Sequence, residues 1–298
     1  MGAQLRIVRR RIRSVQSTKK ITRAMELIAS SRIVKAQQRV EAARPYAQQL
    51  TAAMEDVARQ TGSTAHPLLE EREHPTHVGV LLVTSDRGLA GAYNSNVLRI
   101  GEDLLKDVRA RGLEPEVYVI GKKGVGYFRF RGVAMRASWQ GFSEVPPYEK
   151  AEEIGRAIID DFADGVIDEL HCAYTDFRSA FTLRATSKRF LPIASHEVTG
   201  TGVGVVQAEY LFEPEPAEIL DALLPQYLIT KVYAAMLESA ASENASRRRA
   251  MKAATDNAED LIKQLTRQAN RARQDEITTE ISEIVGGSEA LSAATSEG

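Results

Sequence analysis

KKITRAMELIASSRIVKAQ, residues 19–37, contains neither proline nor glycine and consists mainly of residues that favour helix. Working outward from it, residues 1–60 hold one proline, Pro45, and one glycine, Gly2. Apolar side chains recur at Leu5, Val8, Ile12 and Val15, then at Ile21, Met25 and Ile28. Steps of mostly three and four describe one stripe along a helix. Such a helix is roughly 85 Å long at about 1.5 Å per residue, and Pro45 is the place expected to bend it. A rod of that length outreaches a small domain. Its stripe needs a partner helix or another protein.

The far end of the chain reads the same way. EPEPAEILDALL, residues 213–224, puts acids and prolines where a helix starts. Pro225 is expected to break or kink that helix, and no proline or glycine follows from Gln226 to Val285. Leu261, Leu265, Ala269 and Ala272 form a stripe that Ile277, Ile281 and Ile284 extend, and Gly286-Gly287 is expected to stop the helix. Between the two ends, a polar linker at 61–77 leads into alternating elements. Strands are expected at 78–83, 117–120, 169–174, 183–192 and 203–211, and helices at 94–111, 123–131 and 151–163. The fold class is therefore α/β: a long antiparallel coiled coil of the N- and C-terminal helices plus a central Rossmann-like open sheet. The expected organisation is 1–60, 61–208 and 209–298, with the last segment pairing with the first.

Composition excludes several classes. The 298 residues are 43% hydrophobic and 27% charged, which argues against disorder. No stretch approaches the roughly 20 apolar residues of a membrane span. A single cysteine, Cys172, excludes an internal disulfide and a Cys-rich zinc site. The net charge of −1 hides an asymmetry. Residues 1–44 carry 12 basic and 2 acidic side chains, and residues 209–298 carry 9 basic and 16 acidic. The basic head fits three readings: a nucleic-acid-binding arm, an Arg-rich transit peptide, or a helix face that meets an acidic partner.

The catalytic motifs are weak. TSDRGLAGAYN (84–94) is a strand–turn–helix that could cradle a phosphate, yet it lacks the P-loop pattern. GKKGVG (121–126) is not a dinucleotide fingerprint, and GTGVGVV (200–206) precedes a strand. The five histidines have no metal-ligand spacing, and Cys172 lies in an apolar strand, as a buried structural thiol would.

Five segments carry a resemblance that composition does not. Residues 19–37, TSDRGLAGAYN, YLFEPEP (210–216), MKAATDNAEDLI (251–262) and RARQDEITTEISEIVGG (271–287) together resemble the gamma subunit of F-type ATP synthase of the bacterial type. The match runs in order from about residue 3 to residue 287. Ser288 departs from the alanine usual in the family's terminal motif. Because the match begins near Met1, the transit-peptide reading loses ground. A lone cysteine leaves no room for the dithiol switch of the chloroplast type.

The resemblance implies a rotor shaft that couples proton-driven rotation of a membrane ring to the catalytic cycling of three beta subunits. It implies no active site, cofactor or metal in this chain. The implied partners are the alpha and beta subunits, the epsilon subunit and the c ring, with no nucleic acid and no direct membrane insertion. The implied location is peripheral, on the cytoplasmic face of a bacterial plasma membrane. Carried over residue by residue, Met25, Arg273, Gln274 and Thr278 should meet the beta subunit. Tyr210 and Glu213 should meet the c ring. Ile277, Ile281, Ile284 and Val285 should form an upper bearing, where non-directional apolar contacts resist rotation little. The basic N-terminal helix should slide past acidic segments of beta through long-range attraction.

Overall fold

The computed structural model describes residues 3–61, 66–179, 182–194 and 216–296. The chain divides into two compact units, residues 29–248 and residues 1–28 with 249–298. Helix α1 (Ala3–Thr61) and the last helix, here α5 (Pro216–Ser296), contribute to both.

In the larger unit the strands are β1 (His77–Val83), β2 (Glu114–Ile120), β3 (Ala137–Trp139), β4 (Glu169–Phe177) and β5 (Leu183–Leu191). They form one sheet in the order β3-β2-β1-β4-β5. The first four run parallel and β5 pairs antiparallel with β4. Helices α2 (Tyr93–Ala110), α3 (Lys122–Phe130) and α4 (Tyr148–Ala163) link the parallel strands. Side chains alternate across a strand, so one run of apolar residues feeds two cores. Val80, Leu82, Val117 and Val119 pack with Val97 and Leu105 of α2 and Phe128 of α3. Leu81, Val83, Tyr118 and Ile120 share the other core with α4, the C-terminal part of α1 and the start of α5. Gly155 lets α4 and α5 approach closely: a Cβ there would lie 2.6 Å from Ile229 Cγ1 and 3.3 Å from its Cα.

Asp168 fastens the amino ends of the strands. Its carboxylate accepts from Thr76 N (2.6 Å), His77 N (2.9 Å) and Arg72 Nη1 (2.9 Å). Burial alone would raise its pKa, but the backbone donors of His77 and Thr76, with Arg72 behind them, outweigh burial and lower it. A depressed folded value means stability that is present above the ordinary carboxylate range and lost as pH falls through the folded pKa. Asp168→Asn puts donors against donors and should cost about 1–3 kcal/mol at neutral pH. Urea melts of the two chains should converge toward pH 3. A constant gap across pH would reject this account.

The smaller unit is an antiparallel helix pair. Thr22 Oγ1 and Thr255 Oγ1 lie 2.8 Å apart in its interior, and Lys19 Nζ donates to Glu259 Oε2 at 3.0 Å. On α1 the inward positions run Leu5, Val8, Ile12, Val15, Lys19, Thr22 and Glu26; on α5 they run Met251, Thr255, Ala258, Ile262, Leu265, Ala269 and Ala272. Both alternate steps of three and four, which is the heptad seam of a coiled coil.

Several expectations need correcting. Ile21 and Ile28 are not in the stripe; Ile21 is 61% exposed. The seam keeps the phase set by Leu5–Val15, because paired helices hold a seven-residue repeat, and it passes through Lys19, Thr22 and Glu26 instead. Neither Pro45 nor Pro225 interrupts its helix. The residues beyond each proline are anchored by packing: Leu50, Met54 and Val57 after Pro45, and Leu228 and Val232 after Pro225, are all buried in one core. Gly286-Gly287 does not stop α5, which runs to Ser296. Glycine stops a helix where the chain turns left-handed, and a Cβ at either position would meet nothing within 4 Å, so nothing here makes glycine necessary. The expected strand at 203–211 and the glycines of 200–206 lie outside the described residues.

Candidate functional site

In a sheet of this topology a ligand would bind outside the carboxyl ends of β1 and β4, where the strand order reverses. Here α5 occupies that position. Ser239 Oγ accepts from Thr175 N at 3.4 Å, and Ser242 Oγ donates to Thr175 O at 3.4 Å. Arg247 Nη2 donates to Gly88 O at 3.4 Å. The α5 segment that does this, residues 239–247, is rich in Ala and Ser, so its backbone comes close to the strand end.

The amino end of α3 is also taken. Asp86, in the turn after β1, accepts from Lys122 N (3.1 Å), Gly141 N (2.9 Å) and Ser143 N (2.9 Å). It therefore holds the amino end of α3, where a phosphate would otherwise find backbone donors. Gly121, at φ 97°, makes the turn that presents Lys122 N to it. Burial works to raise the Asp86 pKa, and the three backbone donors overcome it to give a lowered value. TSDRGLAGAYN thus folds as a self-satisfied turn, with Asn94 Oδ1 receiving Ser85 N at 3.0 Å. Burial pushes the Cys172 thiol well above its ordinary value, which makes it a poor nucleophile. Among the described residues no cluster of three or more His, Cys, Asp or Glu could hold a metal, and no helix is long and apolar enough to cross a membrane.

What the helices offer instead is surface. Arg273, Gln274 and Thr278 are exposed on α5, and Thr278 Oγ1 caps back onto Gln274 O at 2.9 Å. Ile277, Ile281, Ile284 and Val285 are exposed as well, Ile284 at 72%. The register explains this. Pairing Thr22 with Thr255 and Lys19 with Glu259, then following both helices at equal rise, puts Ala3 level with about residue 274. From there on α5 has no α1 beside it. Met25 is half-buried on α1, next to the seam rather than in it. Tyr210 and Glu213 lie outside the described residues. Ile21, Leu27 and Ile28 add an exposed apolar strip to α1. It was hidden in the sequence because two of its residues, Ile21 and Ile28, read as the seam.

The most elaborate polar cluster was not visible in the sequence. Arg32 of α1, Arg87 of the β1–α2 turn and Arg247 of α5 all converge on Glu144, in the loop before α4. Arg247 also pairs with Glu243 at 2.6 Å; the two side chains are 6% and 1% exposed. The i,i+4 spacing of Glu243 and Arg247 in a run of small residues is the one local hint of a buried pair.

Comparison with known proteins follows this geometry. The ATP synthase family model matches residues 4–291. The ATP synthase gamma chain of Acidothermus cellulolyticus is 57% identical over 301 residues and covers both chains completely. That of Frankia casuarinae is 54% identical over 99% of this chain and 100% of its own. Among solved structures, a chain of the Euglena gracilis mitochondrial ATP synthase, determined with OSCP, F1 and c-ring, superposes with a TM-score of 0.68. At 16% identity, over 99% of this chain and 97% of that one, it shares the fold. The chain belongs to the ATP synthase gamma-chain family.

Proposed function

We infer that this chain is the central rotor shaft of an F-type ATP synthase, turned by a proton-driven c ring and biasing three catalytic beta subunits in sequence. The observation that carries the reading is the bare end of α5: four large apolar side chains exposed beyond the last level of α1. An isolated protein gains nothing from that arrangement, whereas a shaft end inside an apolar sleeve does. A shaft acts only through its differential contact energy with open and closed partners. Two dissimilar helices supply the asymmetric cross-section this needs.

On this reading the chain does no bond chemistry. The crevice filled by α5 and the amino end of α3 filled by Asp86 support that. The alpha and beta subunits surround the helix pair, and the epsilon subunit and c ring meet the sheet-bearing part, 61–208. Met25 passes the lever of beta, Arg273, Gln274 and Thr278 latch onto its open form, and Tyr210 and Glu213 reach the c ring. The assembly works at the cytoplasmic face of a bacterial plasma membrane.

A pull-down of the tagged chain should bring alpha, beta and epsilon chains. A chain that ignores them but binds DNA with a steep salt slope would be a nucleic-acid protein. Tight saturable nucleotide binding by the chain alone would make it an enzyme. Within the assembly, Arg273→Ala with Gln274→Ala removes hydrogen bonds of about 1.5–3 kcal/mol when charge-assisted. Coupled turnover should fall at least roughly tenfold with assembly intact. Unchanged torque and turnover in single-molecule rotation would remove the latch from the mechanism.

A further inference from the structure

Torque that enters a rotor through its sheet must leave through its helices. Most of what joins them here is apolar. Leu50, Met54 and Val57 of α1 and Leu224, Leu228 and Val232 of α5 share one core with α4. Apolar contacts are non-directional, so this packing sets no bond of fixed length or angle between the helices and the sheet. Charged hydrogen bonds have fixed lengths and angles, and they oppose displacement in every direction.

One such bond and two longer ion pairs beside it meet at a single carboxylate. Glu144 Oε2 receives Arg32 Nη1 at 2.5 Å and lies 3.4 Å from Arg87 Nη1, while its Oε1 lies 3.6 Å from Arg247 Nη1. Arg247 continues to Glu243 Oε1 at 2.6 Å and to Gly88 O at 3.4 Å. Three guanidinium groups and two carboxylates thus tie together α1, the β1–α2 turn, the loop before α4, and α5. The cluster carries net positive charge, so each carboxylate faces a guanidinium, although one oxygen of Glu144 and one of Glu243 accept no hydrogen bond, in a site where Glu243 and Arg247 are almost fully buried.

Glu144 is itself held to the sheet. Ser143, its neighbour, donates N–H to Asp86 at 2.9 Å and receives Asp86 N on its Oγ at 2.9 Å. Asp86 also binds the amino end of α3 through Lys122 N. A run of polar contacts therefore leads from the carboxyl edge of β1 and β2, through Asp86 and Ser143, to Glu144, then to α1 by the hydrogen bond from Arg32 and to α5 by the longer ion pair with Arg247.

We propose that Glu144 is the joint that passes torque from the sheet into α1 and α5. Asp86 is the positioning residue that fixes it, and Arg32, Arg87 and Arg247 are the grips. The assignment rests on the rotor reading. It goes beyond that reading by saying which bonds bear the load.

The test uses the assembled ATP synthase containing this chain, with the hexamer fixed to a surface and a bead attached through Lys106→Cys on α2. Torsional stiffness is read from thermal fluctuations of the bead. Glu144→Gln keeps the shape but removes the carboxylate charge that all three guanidinium groups face, leaving weaker guanidinium-to-amide contacts, so stiffness should fall by up to roughly twofold. Ile158→Val, in the apolar core, should lower the melting temperature and leave stiffness unchanged. Arg87 is largely exposed, so Arg87→Ala will fold even if Glu144→Gln does not, and it should soften the shaft to a smaller degree. Native stiffness in an assembled Glu144→Gln or Arg87→Ala enzyme would overturn the joint while leaving the rotor reading intact. Softening by Ile158→Val equal to that of Glu144→Gln would also overturn it, since general loosening would then explain both. No rotation of the unaltered assembly would overturn the rotor reading itself.

Discussion

Arg247→Ala should destabilise the full-length chain by about 3–5 kcal/mol, the loss typical when one partner of a buried ion pair is removed. Glu243 would then lie 1% exposed without its guanidinium. Burial already holds the Glu243 pKa above its ordinary value, and Arg247 is the main force opposing that rise. Without Arg247 the folded value climbs further. A carboxylate whose folded pKa is raised binds more protons folded than unfolded, so it destabilises increasingly as pH rises through that value. The penalty should therefore be smaller at pH 5 than at pH 8 in urea melts. The double variant Arg247→Ala, Glu243→Ala should recover part of the loss, because no buried charge remains. An equal loss at both pH values, with no recovery in the double variant, would mean that the guanidinium acts through packing and through its bonds to Gly88 O and Asn244 Oδ1, each at 3.4 Å.

Phe162→Ala should cost a similar amount, about 3–5 kcal/mol, through lost burial plus the cavity left behind. Phe162 ends α4 inside the core that α1, α4 and α5 share, and it is 1% exposed. The Arg72 guanidinium lies 5.2 Å from its ring centroid, and Arg72 also donates to the Phe162 carbonyl at 2.6 Å. The cavity would therefore open beneath the Asp168 fastening as well. Phe162→Leu keeps most of the volume and should lose clearly less. The midpoint of urea unfolding should drop while the slope stays constant. A loss below about 1 kcal/mol for Phe162→Ala, the range of ordinary substitutions, would show that the site collapses freely and that this core is not what holds the three helices.

How well the sequence anticipated the structure varied with the range of the interaction. The strand VGVLLV and the spacing of β2 and β4 were plain, because a buried parallel strand writes itself as an unbroken apolar run. β3, three residues long, left no such run and was missed. The antiparallel direction of β5 could not be read either, since direction depends on which edge a strand reaches. On α1 the helix was legible and its inner face was only half so. Leu5 to Val15 marked the seam correctly; Ile21 and Ile28 then suggested a drift that the partner helix does not permit. The residues that fill the crevice gave less warning still. Asp86 reads as one more turn acid, and Arg247 as one of three arginines in a basic run.

The carried-over contact residues divide in the same way. Arg273, Gln274, Thr278 and the four apolar residues from Ile277 to Val285 stand exposed where the register ends the pair. That placement follows from two pairings, Thr22 with Thr255 and Lys19 with Glu259. No periodicity within α5 alone distinguishes residue 269, buried, from residue 284, bare.

The chain's own order of residues was enough to establish two very long helices, a parallel α/β middle and the absence of a recognisable catalytic motif. Those properties depend on local propensity and on spacing along one strand or one helix. Only the tertiary structure decided which side of α1 faces inward, how far α1 reaches along α5, that α5 fills the crevice where this sheet would bind a ligand, and that Asp86 fills the amino end of α3. It alone brought Arg32, Arg87, Glu144, Glu243 and Arg247 together from four segments of chain. The physical reason is that burial and ion pairing act between groups far apart in sequence. Their energies are set by the distance and solvent exclusion that folding creates, and no residue carries those quantities by itself.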